Sequence, residues 1–325
     1  MSRKLLSYTT IGLILGSTAI ADVPKVAVDI APVHSLVARV MDGVGSPKLV
    51  IPAGASPHEY SLRPSEAKSL QDADMVIWIG EDLAPWMENS IETLSKNAEV
   101  ITLLKESETK LLEFREGALF EEHDHGDHDD HDDHDDHDKE HDDHDDHDDH
   151  DDHAHGEHDP HAWLSIENAQ TWLNLVAGKL SAADPDNAGV YFANAAAARE
   201  EINDLVVEVN SILEPVRGRN FVVFHDAYQY FETSFNFPAA GAISLGDATD
   251  PSAARIAEIQ GRVKDEGINC VLSEPQYNAN LVATVLSGTD AKTGVIDPLG
   301  LGLEPGPKLY GDLIRNMAKA LAGCL

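Results

Sequence analysis

The stretch AGVYFANAAAAREEINDLVVEVNSIL, residues 188–213, predicts one long α-helix. Alanine dominates its first half, and Leu205, Val209 and Ile212 recur at helical spacing in its second half. The break-and-cap sequence DPD precedes it and Pro215 ends it. At 1.5 Å per residue the helix is about 40 Å long, which exceeds the radius of a small domain. It therefore predicts a rigid connection between two halves of the chain.

On both sides of this helix, short apolar strands alternate with helices. Before it, strands are predicted at residues 25–30, 48–51, 75–79 and 100–103, and helices at 32–41, 65–71, 82–96 and 166–180. After it, strands are predicted at 221–224, 239–243, 270–273 and 294–296, and helices at 253–266, 280–286 and 310–321. This alternation predicts βαβ units with parallel sheets. We expect two α/β lobes with a cleft between them.

The first 21 residues, MSRKLLSYTTIGLILGSTAIA, have the pattern of a secretory signal peptide. A basic start is followed by a short apolar stretch and an A-x-A cleavage pattern. An uncleaved anchor is the alternative, but the apolar part is too short for an ordinary spanning helix. We expect an exported, soluble protein with an N-terminal lobe at 22–185, a linking helix at 186–214 and a C-terminal lobe at 215–325.

Residues 121–158 form a low-complexity segment of histidine and acid that carries 13 of the chain's 17 histidines. Nothing apolar lies between Phe120 and Ala154, so burial cannot offset the entropy of folding. We expect a disordered, self-repelling loop. Imidazole and carboxylate bind borderline divalent cations, Zn²⁺ above all. We interpret the segment as a loose metal binder with several sites, and a solvating acidic spacer is the alternative.

The net charge of −35 disfavours nucleic acid and anionic membranes as partners. The chain has two cysteines, Cys270 and Cys324. In an oxidising compartment an even pair indicates a disulfide, and two buried thiols are the alternative.

Four histidines lie outside the low-complexity segment. Three of them, His58, His161 and His225, fall in loops or at the carboxyl end of a strand, and Asp297 follows the last strand. Ligands of parallel sheets bind beyond these strand ends. Three imidazoles and one carboxylate make an ordinary tetrahedral zinc shell. His34 lies in the first turn of a predicted helix and is expected to be structural.

These residues carry a resemblance that extends, in order, over the whole mature chain. Its motifs are PAGASPHEYSLRPSEAKSLQDADMVIWIGEDLAPW, DPHAWLS, DPDNAGVYFANAA, FHDAYQYF and IDPLG. They resemble the cluster A-I metal-binding solute-binding proteins of bacterial ABC importers, and the zinc-specific ZnuA type most closely. The resemblance implies two Rossmann-like (β/α)₄ lobes joined by one long helix, with the ion in the cleft.

The resemblance also implies a function and a ligand set. It implies that the protein captures Zn²⁺ in the periplasm and delivers it, as a monomer, to a membrane permease and its ATPase. The histidines of the family motifs are ligands, which implies His58, His161 and His225 here, with Asp297 as the aspartate of the last strand. Some zinc members use water or an acid beside the first histidine as fourth ligand, and Glu59 stands there. The cysteines match a disulfide of some zinc members.

Two other classes of function compete with a zinc carrier. A secreted zinc hydrolase would need an open coordination position and a general base, for which Glu59 or Glu274 would serve. The sequence contains no H-E-x-x-H pair and no G-x-S-x-G elbow. A surface adhesin or a periplasmic zinc-buffering protein is the second alternative, because the histidine-rich segment alone would hold zinc.

Overall fold

The computed structural model describes residues 23–115, 158–244, 252–265, 267–276, 282–284 and 286–325. These residues form two four-stranded parallel sheets flanked by helices. The expected signal peptide and nearly all of the expected acidic loop lie outside the described residues. Among the helices that are described, none is both long and apolar enough to span a bilayer.

The first sheet has the strand order β2-β1-β3-β4, and every neighbouring pair is parallel. Its strands are β1 (Val26–Val28), β2 (Lys48–Leu49), β3 (Met75–Trp78) and β4 (Glu99–Thr102). Its crossover helices are α1 (Ala31–Val40), α2 (Pro64–Gln71) and α3 (Pro85–Leu94). Each of these helices has a proline in its first turn, where the missing N–H costs no hydrogen bond. We call this part the N-terminal lobe.

The second sheet repeats this arrangement with the order β6-β5-β7-β8, again all parallel. Its strands are β5 (Phe221–His225), β6 (Gly241–Ser244), β7 (Cys270–Ser273) and β8 (Lys292–Val295). The helices of this C-terminal lobe whose bounds lie within the described residues are α6 (Gln229–Phe235), α7 (Ala253–Asp265) and α8 (Leu309–Cys324). In each sheet the strand that comes first in the sequence, β1 or β5, has a neighbour on both sides. Its carboxyl end therefore lies in the middle of the sheet edge at which parallel sheets bind ligands.

Within the described part of the chain between the two sheets lie two α-helices, α4 (Ile166–Ala183) and the long helix α5 (Ala188–Leu213). Helix α5 coincides with the predicted span. Its buried residues recur every three or four positions and form one stripe: Tyr191, Ala195, Ala198, Ile202, Leu205, Val209 and Leu213. The helix packs on α1 and α4 as well as on α8 of the C-terminal lobe. It is therefore the shared support of both lobes.

A single cluster of buried apolar side chains continues from one lobe into the other. It contains Ile77 of β3, Leu205 of α5 and Leu272 of β7, among many others. A second, smaller cluster lies on the far face of the second sheet and includes Ile243 and Val271. The two lobes thus share one core, which resists large relative motion because opening it would expose apolar surface.

Hydrogen bonds also tie the lobes together. The backbone N–H of Tyr310 in α8 donates to the hydroxyl of Ser35 in α1, at 2.9 Å. The Tyr310 hydroxyl donates to the carbonyl of Trp163, at 3.1 Å, and the Trp163 indole N–H donates to the carbonyl of Pro298, at 2.9 Å. These side chains are buried, so each bond replaces a contact with water that the fold has removed.

The predicted strands and helices are confirmed to within a few residues at their ends, with two departures. Helix α6 was not predicted, because seven residues are too few to establish a helical period. The helix expected at 280–286 lies partly outside the described residues; within it, residues 282–284 are helical.

A disulfide joins Cys270, at the start of β7, to Cys324, at the end of α8. It encloses a sequence separation of 54 residues and fixes the last helix against the second sheet. Gly294 of β8 leaves room for it: a Cβ added there would lie 3.1 Å from the Cβ of Cys324 and 2.8 Å from a methyl of Leu272. The expected pairing of the two cysteines is present.

We expect the double substitution of Cys270 and Cys324 by alanine to lower the free energy of unfolding by roughly 3–4 kcal/mol, because it removes a cross-link across a long loop. Chemical denaturation of the oxidised protein and the variant measures the difference. Reduced wild-type protein is the matched control and should unfold like the variant. Two titratable thiols in the unreduced, exported protein would contradict the pairing.

Candidate metal site

Three histidine side chains from three separate parts of the chain converge at the edge between the lobes. His58, His161 and His225 each present one ring nitrogen, and these nitrogens all lie within 4.8 Å of one another. Their ring centroids are 5.0–6.0 Å apart. Among the described residues, no other group of histidine, cysteine and acidic side chains reaches this proximity. The sequence prediction of a three-histidine cluster is therefore matched by the geometry.

His58 comes from the loop that follows β2. The indole N–H of Trp86 donates to the carbonyl of Pro57, at 2.8 Å, and anchors the loop beside the histidine. The backbone N–H of His58 donates to the Ser56 hydroxyl, at 3.3 Å. His58 is half-buried, whereas the other two histidines are buried. An ion would accordingly reach the cluster from the His58 side.

His161 is held by its near neighbour Asp159. One oxygen of the Asp159 carboxylate accepts from the backbone N–H of His161, at 3.0 Å, and lies 2.7 Å from the ring Nδ1. Asp159 is buried, and burial raises its pKa to about 6, while its hydrogen bond to His161 and the charge of Arg115 oppose the rise. The carboxylate thus fixes both the backbone and the ring of this histidine.

His225 is the last residue of β5, where parallel strands present their ligands. Its ring Nδ1 lies 3.2 Å from Oε1 of Glu274, which directly follows β7, the neighbouring strand. Glu274 is buried as well. His225 therefore has a carboxylate partner from its own lobe, just as His161 has one.

These partners determine which nitrogen faces the ion. A carboxylate at Nδ1 favours the tautomer that carries a proton there, which leaves the lone pair of Nε2 for a metal. Nitrogens around one tetrahedral Zn²⁺, at about 2.0–2.1 Å from it, are roughly 3.3 Å apart, so small side-chain movements close the observed triangle. Neutral imidazoles backed by carboxylates suit zinc.

The fourth candidate ligand, Asp297, lies just beyond β8 at the same edge. Its Oδ1 accepts from the backbone N–H groups of Leu299, at 2.9 Å, and Gly300, at 3.0 Å. Burial raises the pKa of Asp297, and the hydrogen bonds from these two backbone N–H groups partly oppose the rise. Asp297 is not within the mutual distance that unites the three histidines. Glu59, the alternative beside His58, is exposed.

The fourth histidine of the described core, His34, has no part in the cluster. It is buried in α1, and its ring Nε2 lies 3.2 Å from the carbonyl of Pro47. Burial lowers its pKa. This placement agrees with the structural role expected for it.

Sequence reasoning missed two contributors, the carboxylates behind the ligands. Asp159 was readable as the acid of the DPH motif, two residues before His161. Glu274 was considered only as a hydrolytic base, although its position at the end of a strand next to β5 points to the edge where His225 lies. The histidine-rich segment contributes only His158 to the described residues, and His158 forms an antiparallel bridge with Glu113.

Comparison with known proteins gives agreement over almost the full length. Residues 26–324 match the profile of the ZnuA family, described as zinc-uptake complex component A, periplasmic. The chain is 50% identical over 315 residues to the high-affinity zinc uptake system protein ZnuA of Paracoccus denitrificans, covering 96% of this chain and 95% of that protein. It is 46% identical over 314 residues to the protein of the same name from Brucella abortus, covering 95% and 94%.

Solved structures share the fold. A crystal structure of a ZnuA deletion mutant with zinc bound matches with a TM-score of 0.72 at 20% identity, over 93% of this chain and 98% of that one. At this identity the likeness concerns the fold alone, and the sequence matches carry the assignment. A profile match from residue 26 to residue 324, together with relatives at 46–50% identity, shows that this chain belongs to the ZnuA family of periplasmic zinc-uptake components.

Proposed function

We propose that this chain captures Zn²⁺ in the periplasm with His58, His161 and His225 and delivers it to the permease of an ABC importer, which its ATPase drives. The observation that carries the proposal is the cluster of three histidine nitrogens within 4.8 Å of one another. The relatives are named for high-affinity zinc uptake, which supplies the cargo. The family is a transport component and not an enzyme, which sets aside the hydrolase alternative.

For the fourth coordination position we propose Asp297, with Glu59 and water as alternatives. Asp297 follows β8 at the edge where the histidines meet, and it is partly buried, so its charge would be felt by the ion. The exposed carboxylate of Glu59 would have to give up water first. A closed shell of protein ligands suits a carrier that releases its ion to a partner and performs no chemistry on bound water.

We expect calorimetric titration of the mature protein to show one tight Zn²⁺ site and several weaker ones. Deletion of residues 121–157 should remove the weak sites and keep the tight one, because the three clustered histidines lie outside that segment. In the deletion variant, His58→Ala should weaken zinc binding by more than the 10–100-fold typical of losing a carboxylate behind a ligand.

His34→Gln is the matched control for that experiment, because it also replaces a histidine but one outside the cluster. It should leave the tight site intact. Loss of the tight site on deletion of 121–157 alone would reject the three-histidine site and favour a zinc-buffering protein.

We expect the affinity of the tight site to fall by roughly a factor of ten or more between pH 7 and pH 5. Zinc requires neutral imidazoles, whose ordinary pKa is near 6.5, and it favours ionised Asp159, whose pKa is raised to about 6. Zinc binding therefore releases protons in this range, so protons compete with the metal as the pH falls. Competition against a chelator at several pH values measures this, and a flat profile would indicate a shell of carboxylates.

A further inference from the structure

Arg115 forms ion pairs with two acidic side chains, Asp226 and Glu232, through four hydrogen bonds. Its Nε and Nη2 donate to the two oxygens of Asp226, at 3.0 Å for Nε to Oδ2. Its Nη1 and Nη2 donate to the two oxygens of Glu232, at 2.8 and 3.1 Å. The arginine side chain is 16% exposed, and the acidic side chains are 9% and 5% exposed. One guanidinium thus contacts two buried carboxylates, each through a pair of hydrogen bonds.

The two carboxylates belong to the part of the C-terminal lobe that carries His225. Asp226 is the next residue after that histidine, and its backbone N–H donates to the carbonyl of Ser244 in β6, at 3.2 Å. Glu232 lies in α6, and its Oε2 also accepts from the backbone N–H of Ala239, at 3.1 Å. Arg115 is therefore hydrogen-bonded both to the residue after β5 and to helix α6, which follows it.

The residues just before Arg115 in the chain are hydrogen-bonded to the segment that carries His161. Glu113 and His158 form an antiparallel bridge, and the N–H of Asp159 donates to the carbonyl of Leu112, at 2.9 Å. The hydroxyl of Tyr230, in α6, accepts from the N–H of Leu112 and donates to the carbonyl of Asp159, both at 2.9 Å. The strand segment around Arg115 is thus hydrogen-bonded to the residue that orients the ring of His161.

We propose that Arg115 is a positioning residue of the metal site, which holds the His225 end of β5 in register with the segment that carries Asp159 and His161. The inference rests on the function proposed above. A guanidinium that bridges the two ligand-bearing segments sets the distance between two of the three histidines without touching the ion. Its loss would leave those histidines free to separate, which chiefly raises the rate of zinc release.

The simpler alternative is that Arg115 only prevents two buried carboxylates from being left unpaired. Removing one partner of a buried ion pair costs several kcal/mol, whereas removing all the charges together is often tolerated. The two explanations therefore differ for a variant in which the whole network is made neutral.

The experiment compares zinc binding in Arg115→Ala, Arg115→Lys and the triple variant Arg115→Met, Asp226→Asn, Glu232→Gln. Affinity is measured by chelator competition, the release rate by stopped-flow transfer to excess chelator, and coordination by the visible spectrum of the Co²⁺-loaded protein. We expect Arg115→Ala to lose roughly 10–100-fold in affinity, mostly through faster release, with an altered cobalt spectrum. Lysine keeps the charge but not the paired hydrogen bonds, so the zinc affinity of Arg115→Lys should lie between those of the wild type and Arg115→Ala.

The triple variant should stay as weak as Arg115→Ala, and it carries the test together with Arg115→Lys if the alanine variant does not fold. Arg315→Ala is the matched control, since its guanidinium also pairs with two acids, Glu208 and Asp312, on helices without site histidines. Wild-type affinity and spectrum in folded Arg115→Ala, or full recovery in the triple variant, would overturn the proposal. Absence of a tight zinc site in the wild-type protein would instead overturn the proposed function, and this inference with it.

Discussion

The continuous apolar core beneath both sheets is the constraint on which the rest of the structure depends. Helix α5 carries one buried stripe along its whole length and packs on helices of both lobes. Because the lobes share this core, a large change in the separation of their facing edges would expose apolar surface. His58, His161 and His225 come from three distant parts of the chain, and folding alone brings them together. The conformational entropy of assembling the ligands is therefore spent before an ion arrives.

Two buried carboxylates beside the histidines add electrostatic stabilisation to the arrangement that the core holds in place. Bringing a divalent cation into a buried site is costly unless opposite charge is nearby, since water is no longer there to solvate it. Asp159 and Glu274 would supply that charge to an ion through the rings of His161 and His225, whose Nδ1 atoms they contact. They also choose the tautomer of each ring, so the same two carboxylates provide both orientation and electrostatic compensation.

Features encoded by local pattern could be predicted from the sequence, and features created by tertiary contact could not. Helix α5 was predicted with its observed bounds, because an alanine-rich run has high helix propensity and Pro185 and Pro215 limit it on both sides. The three histidines were found because strand ends and loops are where parallel sheets bind ligands. The ion pairs of Arg115 join residues 111 and 117 positions apart, and no spacing rule announces them. Short helix α6, which carries the buried Glu232, was missed because its seven residues are too few to establish a helical period.

The antiparallel bridge between Glu113 and His158 places the two chain ends of segment 116–157 side by side. Closing a longer or shorter loop across such a base changes the free energy only slowly with length. Loop closure alone therefore places little constraint on the number of residues between these two positions. The same base offers an insertion point for a folded reporter with adjacent termini, which would end two residues before Asp159 and four before His161, close enough for zinc binding to be followed optically.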